Sequence, residues 1–242
     1  MPLGAWFAPD RHAPGLCGLL RHRRRPALTA GPLLWFIFTD QVLTRSFKCR
    51  GVAGEADEIA MDVSVATLTP DRWPDIDDLF REGAVTRRCW CMYWRTGPQY
   101  RHQQASANKS AFRRLVGQGP PPGLLAYVEG RPVGWCQIGR RDVLPYMQRA
   151  WRLRSPDDVP VWVMSCFYIR KDFRRHGIAF RLTEAAIDLA RTNGALAIEA
   201  YPVDRSISPS SSSTGFVTTF ERLGFKRMPS PSRERPIMRL SL

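Results

Sequence analysis

The chain has 242 residues, 44% of them hydrophobic, which is enough for one ordinary α/β domain with an appendage and excludes a fibrous or wholly disordered protein. Its 36 Lys and Arg against 22 Asp and Glu give a net charge of +14, but the basic residues form no stripe interleaved with stacking aromatics, so nucleic-acid binding is disfavoured. No apolar run reaches the about 18 residues that a membrane-spanning helix needs, so no membrane partner is expected.

Residues 1–60 differ from the rest of the chain. No helical or strand period persists in them, and they offer little periodic apolar surface for packing. The basic run Arg21–Arg25 and the apolar run Pro32–Phe38 imitate a signal peptide but begin late and lack a small-x-small cleavage site. We expect a poorly structured extension translated from an upstream start codon, with Met61 as the natural beginning; a targeting segment is the alternative.

From Met61 onward, periodicity and turn residues predict a compact mixed domain. The predicted elements are a strand at Val63–Leu68, helices at Pro70–Glu82 and Ser106–Val116, a hairpin of Leu124–Val128 and Val133–Ile138, a strand at Val161–Ile169, a helix at Gly177–Thr192, a strand at Ala195–Tyr201, a helix at Thr214–Leu223, and strands at Phe225–Met228 and Ile237–Leu240. A long irregular segment, Arg140–Pro160, and a low-complexity loop, Ser208–Thr214, separate some of them. The order predicts an α/β (α+β) fold of mostly antiparallel strands with one βαβ crossover.

The sharpest functional signal is the stretch FRRHGIAF at Phe173–Phe180, between a buried strand and an amphipathic helix. Free backbone amides at a helix N-terminus bind anions, and a glycine there lets the backbone approach a phosphate closely. A solvated basic helix start is the usual explanation of such a cluster, but basic side chains there oppose the helix macrodipole. The pattern therefore predicts a cradle for a small anion.

With this turn in its context, the chain from Met61 to the C-terminus resembles the GCN5-related N-acetyltransferase (GNAT) superfamily, most closely over Val161–Phe225. An R/Q-x-x-G-x-G/A turn in that family holds the pyrophosphate of acetyl-CoA, and Leu223-Gly224-Phe225 matches the Leu-Gly-Phe that often follows its last helix. The resemblance implies a GNAT domain at 61–242, with a mixed, mostly antiparallel central sheet of about six to seven strands flanked by helices.

The resemblance also implies acetyl-CoA as co-substrate. Arg174, Gly177 and Ala179 fill the defining positions of the turn, and Ala179 stands where Gly is commoner. The backbone of the preceding strand would pair with the pantetheine arm. The residues implied as cofactor contacts are Phe167, Ile169, Arg174, Arg175, His176, Gly177, Ile178 and Ala179.

Acetyl transfer to an amine needs a neutral amine, a polarised thioester carbonyl and an acid for the departing thiolate. Many relatives use a tyrosine as the acid, but that position here is Phe220, whose ring has no proton to donate. Tyr201 and Cys166 are the candidates for this acid, Tyr168 is third, and water is the alternative. Glu199, on the same side of its strand as Tyr201, is either the base or a solvated carboxylate.

We expect direct attack by the amine in a ternary complex, without a covalent cysteine intermediate, because no Cys-His-Asp spacing is present. The resemblance implies that a backbone N–H polarises the thioester where the strand at Met164–Ile169 splays from its neighbour. The acceptor is a primary amine of a small molecule or peptide, and a homodimer is compatible with the chain. The rival interpretation is a non-catalytic acyl-CoA-binding regulatory module, which Phe220 favours.

The aromatic stretch Arg88–Arg95 lies where the family usually forms its acceptor side. We predict that Trp90, Tyr93 and Trp94 line an aromatic acceptor pocket, with core packing as the alternative.

The six cysteines have no disulfide-framework spacing, and Cys89 and Cys91 are too close for an easy disulfide, which fits a reducing cytoplasm. No metal site is expected, because a single C-x-C offers too few ligands and the four histidines are not paired at ligand spacing.

Overall fold

The structure is a computed structural model that describes residues 61–204 and 213–242; the predicted extension at 1–60 and most of the Ser208–Thr214 loop lie outside the described residues. The strands are β1 (Val63–Thr67), β2 (Gly123–Val128), β3 (Arg131–Arg140), β4 (Val161–Ile169), β5 (Ala197–Ala200), β6 (Lys226–Met228) and β7 (Ile237–Ser241). The helices are α1 (Trp73–Arg81), α2 (Thr86–Cys89), α3 (Tyr93–Thr96), α4 (Ala105–Gln118), α5 (Pro145–Arg149), α6 (Ile178–Thr192) and α7 (Val217–Arg222). None of the helices in these ranges is both long and apolar enough to cross a membrane.

The seven strands form one sheet in the order β1-β2-β3-β4-β5-β7-β6. Every neighbouring pair is antiparallel except β4 and β5, which run parallel and are joined by the crossover helix α6. Parallel neighbours require such a crossover, and a helix is its usual form. The predicted fold class, a mostly antiparallel sheet with one βαβ unit, is confirmed.

Three short helices were not predicted from the sequence. α2 and α3 have four residues each, and α5 lies in the segment Arg140–Pro160, which we predicted to be irregular. A helix of four or five residues completes little more than one turn, so it cannot display a 3.6-residue period. These helices are formed by tertiary packing, which a local pattern does not report.

Helix α6 covers one face of the sheet. Its residues Ile178, Leu182 and Ala186 are at most 1% exposed and pack with the strands in one hydrophobic cluster. Gly134 of β3 makes this close approach possible, because a Cβ atom there would lie 2.8 Å from Ile178 Cγ2. The close packing fixes the position of the helix start relative to β4.

The opposite face carries two layers. Helices α1, α2 and α4 cover β2 and β3, and α5 with its flanking 3-10 turns covers the first half of β4 together with β5. Arg170, 2% exposed, fastens α1 to the sheet: it donates from Nε to the Pro132 carbonyl over 2.8 Å, from Nη2 to Asp78 Oδ2 over 2.5 Å, and from Nη1 to Glu82. The first of these two layers therefore holds a fixed place beside β4.

Candidate active site

The sheet opens between β4 and β5. The two strands pair at four positions, from Val161↔Ala197 to Met164↔Ala200, and β4 then continues to Ile169. Among the described residues, no strand pairs with this second half of β4 on the β5 side. The splay that the sequence comparison implied for this strand is present, and it leaves a cleft, which we call the split, between Ser165–Ile169 and the chain after Ala200.

A β-bulge lies at the start of the split. Gln137 of β3 is paired with Cys166 and Ile138 with Met164, so Ser165 has no partner in the register. The extra residue shifts the alternation of β4 by one, so that Cys166 and Tyr168 face the α1 side while Phe167 and Ile169 face α6. The Ser165 side chain is 2% exposed and donates to Gln137 Oε1 over 2.9 Å, which holds the bulge in place.

The turn before α6 presents a row of free backbone amides. Arg175 and Gly177 have left-handed conformations, with φ of 71° and 76°, and Gly177 is the N-cap of α6. No side chain caps this helix end, and the N–H groups from Arg175 to Phe180 have no hydrogen-bond partner in the described part of the chain. A Cβ atom at Gly177 would meet no heavy atom within 4 Å, so open space adjoins the helix start.

This arrangement fits a phosphate-bearing cofactor. The helix start supplies donors and a positive dipole end, and the exposed side chains of Arg174, Arg175 and His176 surround it. Arg174 donates from Nε to the carbonyl of Ile169 over 3.0 Å, which ties the turn to the end of β4. Phe167 is 8% exposed and packed in the core, so its backbone is the part that faces the split. The predicted cofactor residues therefore follow one another along the end of β4 and the turn into α6.

Glu199 and Tyr201, predicted as base and acid, lie in a buried network. Glu199 is fully buried, and Arg239, directly opposite it across the β5–β7 pair, donates to Glu199 Oε1 over 2.9 Å from Nε and 2.6 Å from Nη2. Tyr201, 1% exposed, donates to Glu199 Oε2 over 2.7 Å and accepts from Arg141. Arg239 also donates to Asp157 Oδ2 over 2.6 Å.

The Glu199 carboxylate and the Tyr201 hydroxyl, which catalysis would need as base and acid, are both hydrogen-bonded within this network. Burial, with the Glu199 carboxylate as second cause, raises the pKa of Tyr201 well above its ordinary range, so that its proton stays on the phenol. The hydrogen bond from Arg239 lowers the pKa of Asp157. A carboxylate with no exposed surface cannot receive a proton from a diffusing amine in this conformation. The geometry fits a structural ion pair rather than the base and acid that the sequence suggested.

Cys166 and Tyr168 lie on the second half of β4 and are half-buried. The Cys166 thiol contacts that of Cys91, and this contact, followed by burial, raises the pKa of Cys91 well above its ordinary range. Burial also raises the pKa of Cys89 to about 11. The thiols of Cys89 and Cys91 therefore stay protonated at neutral pH. The four described cysteines are free, and no three His, Cys, Asp or Glu in the described ranges gather in a way that could hold a metal ion.

Phe220, which replaces the tyrosine of many relatives, is a core residue. It has no exposed surface, and its ring centroid lies 6.2 Å from that of Phe167 and 5.3 Å from that of Phe225. The position therefore contributes packing behind the split.

Two of the three predicted acceptor aromatics stand beside the split. Trp94 donates from Nε1 to the carbonyl of Ser165 over 2.8 Å. The Tyr93 ring lies 4.6 Å from Trp94, 5.8 Å from Tyr100 and 5.3 Å from Tyr146. These four half-buried rings, Tyr93, Trp94, Tyr100 and Tyr146, form what we call the aromatic cluster.

Trp90 does not join this cluster. It is 4% exposed, stacks on Trp73 at 5.6 Å and packs edge-on against Phe80, within the core between α1 and α4. The reason is local: Trp90 and Cys91 both adopt left-handed conformations, with φ of 46° and 52°, and this reverses the chain between α2 and α3. For Trp90, the core-packing alternative is the one that the structure supports.

The structure adds residues that the sequence did not single out. Tyr146 lies in the segment predicted to be irregular, and Tyr100 follows α3; both enter the aromatic cluster through packing. Arg235, between β6 and β7, lies close enough to Tyr93 for its charge to act on that phenol. No local pattern in the sequence marks these positions.

Comparison with known proteins places this geometry in context. A sequence profile described as the acetyltransferase (GNAT) family matches residues 79–208, more than half of the chain. No curated protein matches the sequence. Solved structures that match include the polyamine N-acetyltransferase of Drosophila melanogaster, which forms N-acetylagmatine (15% identity, 75% of this chain and 100% of that one, TM-score 0.47). Another is the PaiA N-acetyltransferase of Thermoplasma acidophilum in complex with coenzyme A (14% identity, 75% and 100%, TM-score 0.46).

Proposed function

Because this chain belongs to the acetyltransferase (GNAT) family, we propose that it transfers the acetyl group of acetyl-CoA to a primary amine of a small molecule or peptide. One observation carries the proposal: the split in the sheet lies between the free amides of the α6 start and the aromatic cluster. A donor bound on the α6 side and an amine on the cluster side would meet at Ser165–Ile169.

The free amides from Arg175 to Phe180 support acetyl-CoA as the donor. They offer several N–H groups to one pyrophosphate without a competing side chain, and Arg174 and Arg175 add positive charge beside it. The second half of β4 has no strand partner on its β5 side among the described residues. This edge offers further backbone donors and acceptors to an extended, amide-containing arm, which would pair with it as an added strand does. The hydrogen bonds to the pyrophosphate and those to the amide-containing arm would together select a donor of this structure.

The chemistry requires no group other than the chain, its two substrates and water. The neutral amine nitrogen attacks the thioester carbonyl carbon; a C–N bond forms, the C–S bond breaks, and the nitrogen loses one proton while the leaving thiolate gains one. A β4 backbone N–H at the split would stabilise the negative charge that develops on the carbonyl oxygen. No cysteine is acetylated in this scheme.

The phenols of the aromatic cluster are our candidates for the proton that the thiolate needs. Tyr93 and Tyr146 are half-buried and stand next to Trp94, which contacts the bulge. Burial, with contact from Tyr146 as second cause, raises the pKa of Tyr93, so it holds a proton to donate at neutral pH. They take the place of Tyr201, whose hydroxyl is engaged by Glu199. Water is the alternative donor of the thiolate's proton, and water also accepts the proton that the amine nitrogen loses.

The rival proposal is a regulatory module that binds acyl-CoA without turning it over. Two observations favour it: Phe220 has no proton to donate, and Glu199 is fully buried and bonded to Arg239 in the free protein. The free thiols of the described cysteines support a reducing compartment, and we propose the cytoplasm.

The decisive experiment measures release of CoA thiol by the full-length protein from acetyl-CoA, with a panel of amines that includes polyamines, amino acids, aromatic amines, aminoglycosides and peptides. We expect release above the rate of spontaneous hydrolysis with at least one acceptor, together with the N-acetylated product in the mass spectrum. Saturable CoA binding in calorimetry without release by any amine of the panel would favour the regulatory module instead. Trapping of an acetylated Cys166 with acetyl-CoA alone would contradict direct attack.

A further inference from the structure

Two half-buried arginines beside the aromatic cluster have no carboxylate partner within residues 61–204 and 213–242. Arg95 and Arg235 are partly buried, and neither forms an ion pair with a described residue. By contrast, the chain pairs its other buried arginines with acids, Arg170 with Asp78 and Glu82 and Arg239 with Asp157 and Glu199. Removing a guanidinium from water without a counter-charge is costly, so an unpaired arginine in this setting calls for an anion.

Arg235 lies two residues before β7, beside the hydrophobic cluster that borders the split. Ile237, the first residue of β7, belongs to this cluster together with Tyr201, and Trp94 packs against the cluster. Its Nη1 donates to the hydroxyl of Thr214 over 3.0 Å, a neutral partner that leaves the positive charge uncompensated. Burial lowers the pKa of the Arg235 guanidinium, as expected of a cation that lacks a matching acid; the nearest acidic side chain that acts on it, the exposed Glu234, forms no ion pair with it.

Arginine side chains lie beside the aromatic cluster. The charged groups that act most strongly on the Tyr93 phenol are the guanidiniums of Arg101 and Arg235. Arg101 lies over the Tyr100 ring at 5.6 Å and donates to its hydroxyl over 3.2 Å. Arg95 donates to the Val143 carbonyl over 2.8 Å, and its Nε is buried without a partner. Aromatic faces and positive charge are therefore combined in one place.

On the basis of the proposed function, we propose that the acceptor amine also carries an anionic group, a carboxylate or a phosphate, and that Arg235 binds this group. The planar or apolar body of the acceptor packs on the rings of Tyr93, Trp94 and Tyr146, and its amine points toward the bulge at Ser165. An arginine suits this task because its flat fork forms two parallel hydrogen bonds to a carboxylate or phosphate.

The same positive charge argues against polycationic acceptors. A polyamine would bring two or more positive charges against Arg101 and Arg235, and like charges at close range disfavour binding. The acceptor class is thus set by charge as much as by shape. Free amino acids with aromatic or apolar side chains and small phosphorylated amines both meet the requirement.

The test compares matched pairs of amines that differ in the anionic group. Calorimetry on the full-length protein saturated with CoA would measure binding of L-phenylalanine against phenethylamine, L-tryptophan against tryptamine, and O-phosphoethanolamine against ethanolamine. We expect the anionic member of at least one pair to bind about 10- to 100-fold more tightly, the contribution typical of a charged hydrogen-bonded pair. The first two pairs report a carboxylate and the third a phosphate.

Variants of the loop before β7 assign the effect. Arg235→Gln should abolish the preference within the pair and leave the CoA dissociation constant unchanged, and Arg235→Lys should retain part of it. Arg233→Gln, which removes an exposed arginine two positions away, is the matched control and should have no effect. A thermal melt of each variant shows whether it is folded. If Arg235→Gln is not folded, the preference within each pair is compared between Arg235→Lys and the wild type, and a preference that is not reduced in Arg235→Lys overturns the inference.

The outcomes separate this inference from the proposed function. Equal binding of both members in all three pairs, or tighter binding of spermidine and agmatine than of every anionic amine, overturns the inference even if acetyl transfer is found. A preference that persists in Arg235→Gln also overturns it. A preference that depends on Arg235, without release of CoA thiol by any amine, supports the anion site and contradicts the transferase.

Discussion

Trp94 donates its indole N–H to the main-chain carbonyl of Ser165 over 2.8 Å, although 71 positions separate the two residues. Ser165 is the bulged residue of β4, at the point where this strand parts from β5. The bond therefore fixes the aromatic cluster to the edge of the split, and it joins the proposed acceptor side to the strand on which the acetyl group would lie.

Replacing Trp94 with Phe should loosen this connection. The variant loses one hydrogen bond and some packing, and we expect the free energy of unfolding to fall by about 1–2 kcal/mol. The KM of the amine should rise several-fold, while the CoA dissociation constant stays within about twofold. Urea unfolding and steady-state kinetics measure the two effects. Trp151→Phe, at a side chain that is 65% exposed, is the control and should be neutral.

Replacing Gly177 with Ala should weaken CoA binding. With φ at 76° the residue is in the left-handed region, where an alanine costs about 1 kcal/mol. Relief of this strain would move the amides of the α6 start, so the CoA dissociation constant should rise about five- to tenfold. Gly130→Ala is a close control, because Gly130 has φ of 75° and equally open surroundings but lies in the β2–β3 turn. Equal CoA binding by the two variants would argue against the cradle.

Replacing Glu199 with Gln distinguishes a structural role from a catalytic one. The substitution leaves Arg239 and Arg141 without their buried carboxylate, and we expect a loss of about 2–4 kcal/mol in the free energy of unfolding. At temperatures where the variant is folded, kcat should stay within about threefold of the wild type. Asp157→Asn, at the more exposed partner of Arg239, should destabilise less. A large loss of kcat with unchanged stability would restore Glu199 as a base.

Tyr201 should make the fold sensitive to alkali. Its pKa in the folded protein lies above the ordinary value of about 10, so below that pH both states hold the proton and the stabilisation is fully present. Above it, the unfolded state releases the proton first, and the stabilisation is lost as pH rises through the folded pKa. Unfolding free energies at pH 8 and pH 11 should show a smaller decline in Tyr201→Phe than in the wild type. An identical decline would contradict the prediction.

The phenols of the aromatic cluster should affect the rate more than binding. If Tyr93 or Tyr146 protonates the leaving thiolate, then Tyr93→Phe and Tyr146→Phe together should lower kcat by about 100-fold, a usual loss for a general acid. CoA binding should be unchanged. Tyr127→Phe, which removes a phenol bonded to Asp75 over 2.7 Å beside α1, is the matched control. A double variant with the wild-type kcat would assign the proton to water.

The βαβ unit at the centre of the site was accessible from the sequence because its signals are local. A continuous apolar strand, a glycine at the helix start and a 3.6-residue stripe along α6 each follow from backbone geometry and burial. The split itself was expected from resemblance, since nothing in residues 165–169 alone tells how many neighbours a strand has.

The acceptor side was less accessible because it is assembled from distant segments. Trp90 and Tyr93 are neighbours in sequence, but two left-handed residues send them to different places. Arg235 and Tyr93 are remote in sequence, and only the position of β7 in the sheet brings them together. Glu199 looked available on its strand, but its cross-strand partner Arg239 makes it part of the interior.

The four register pairs between β4 and β5 also have a consequence for cooperativity. Within the sheet, the described strands β1–β4 and β5–β7 are joined only at these four positions, although α6 and the hydrophobic cluster around α5 also contact both sides. The backbone N–H and C=O groups after Met164 that face the split have no strand partner among the described residues. They would form β-sheet hydrogen bonds with an extended substrate when it binds. Hydrogen–deuterium exchange should therefore show rapid labelling of those amides of Ser165–Ile169 that point into the split, while the amides of this stretch that pair with β3 exchange slowly. A bound extended substrate should slow the first set, because it would act as the strand that completes the sheet.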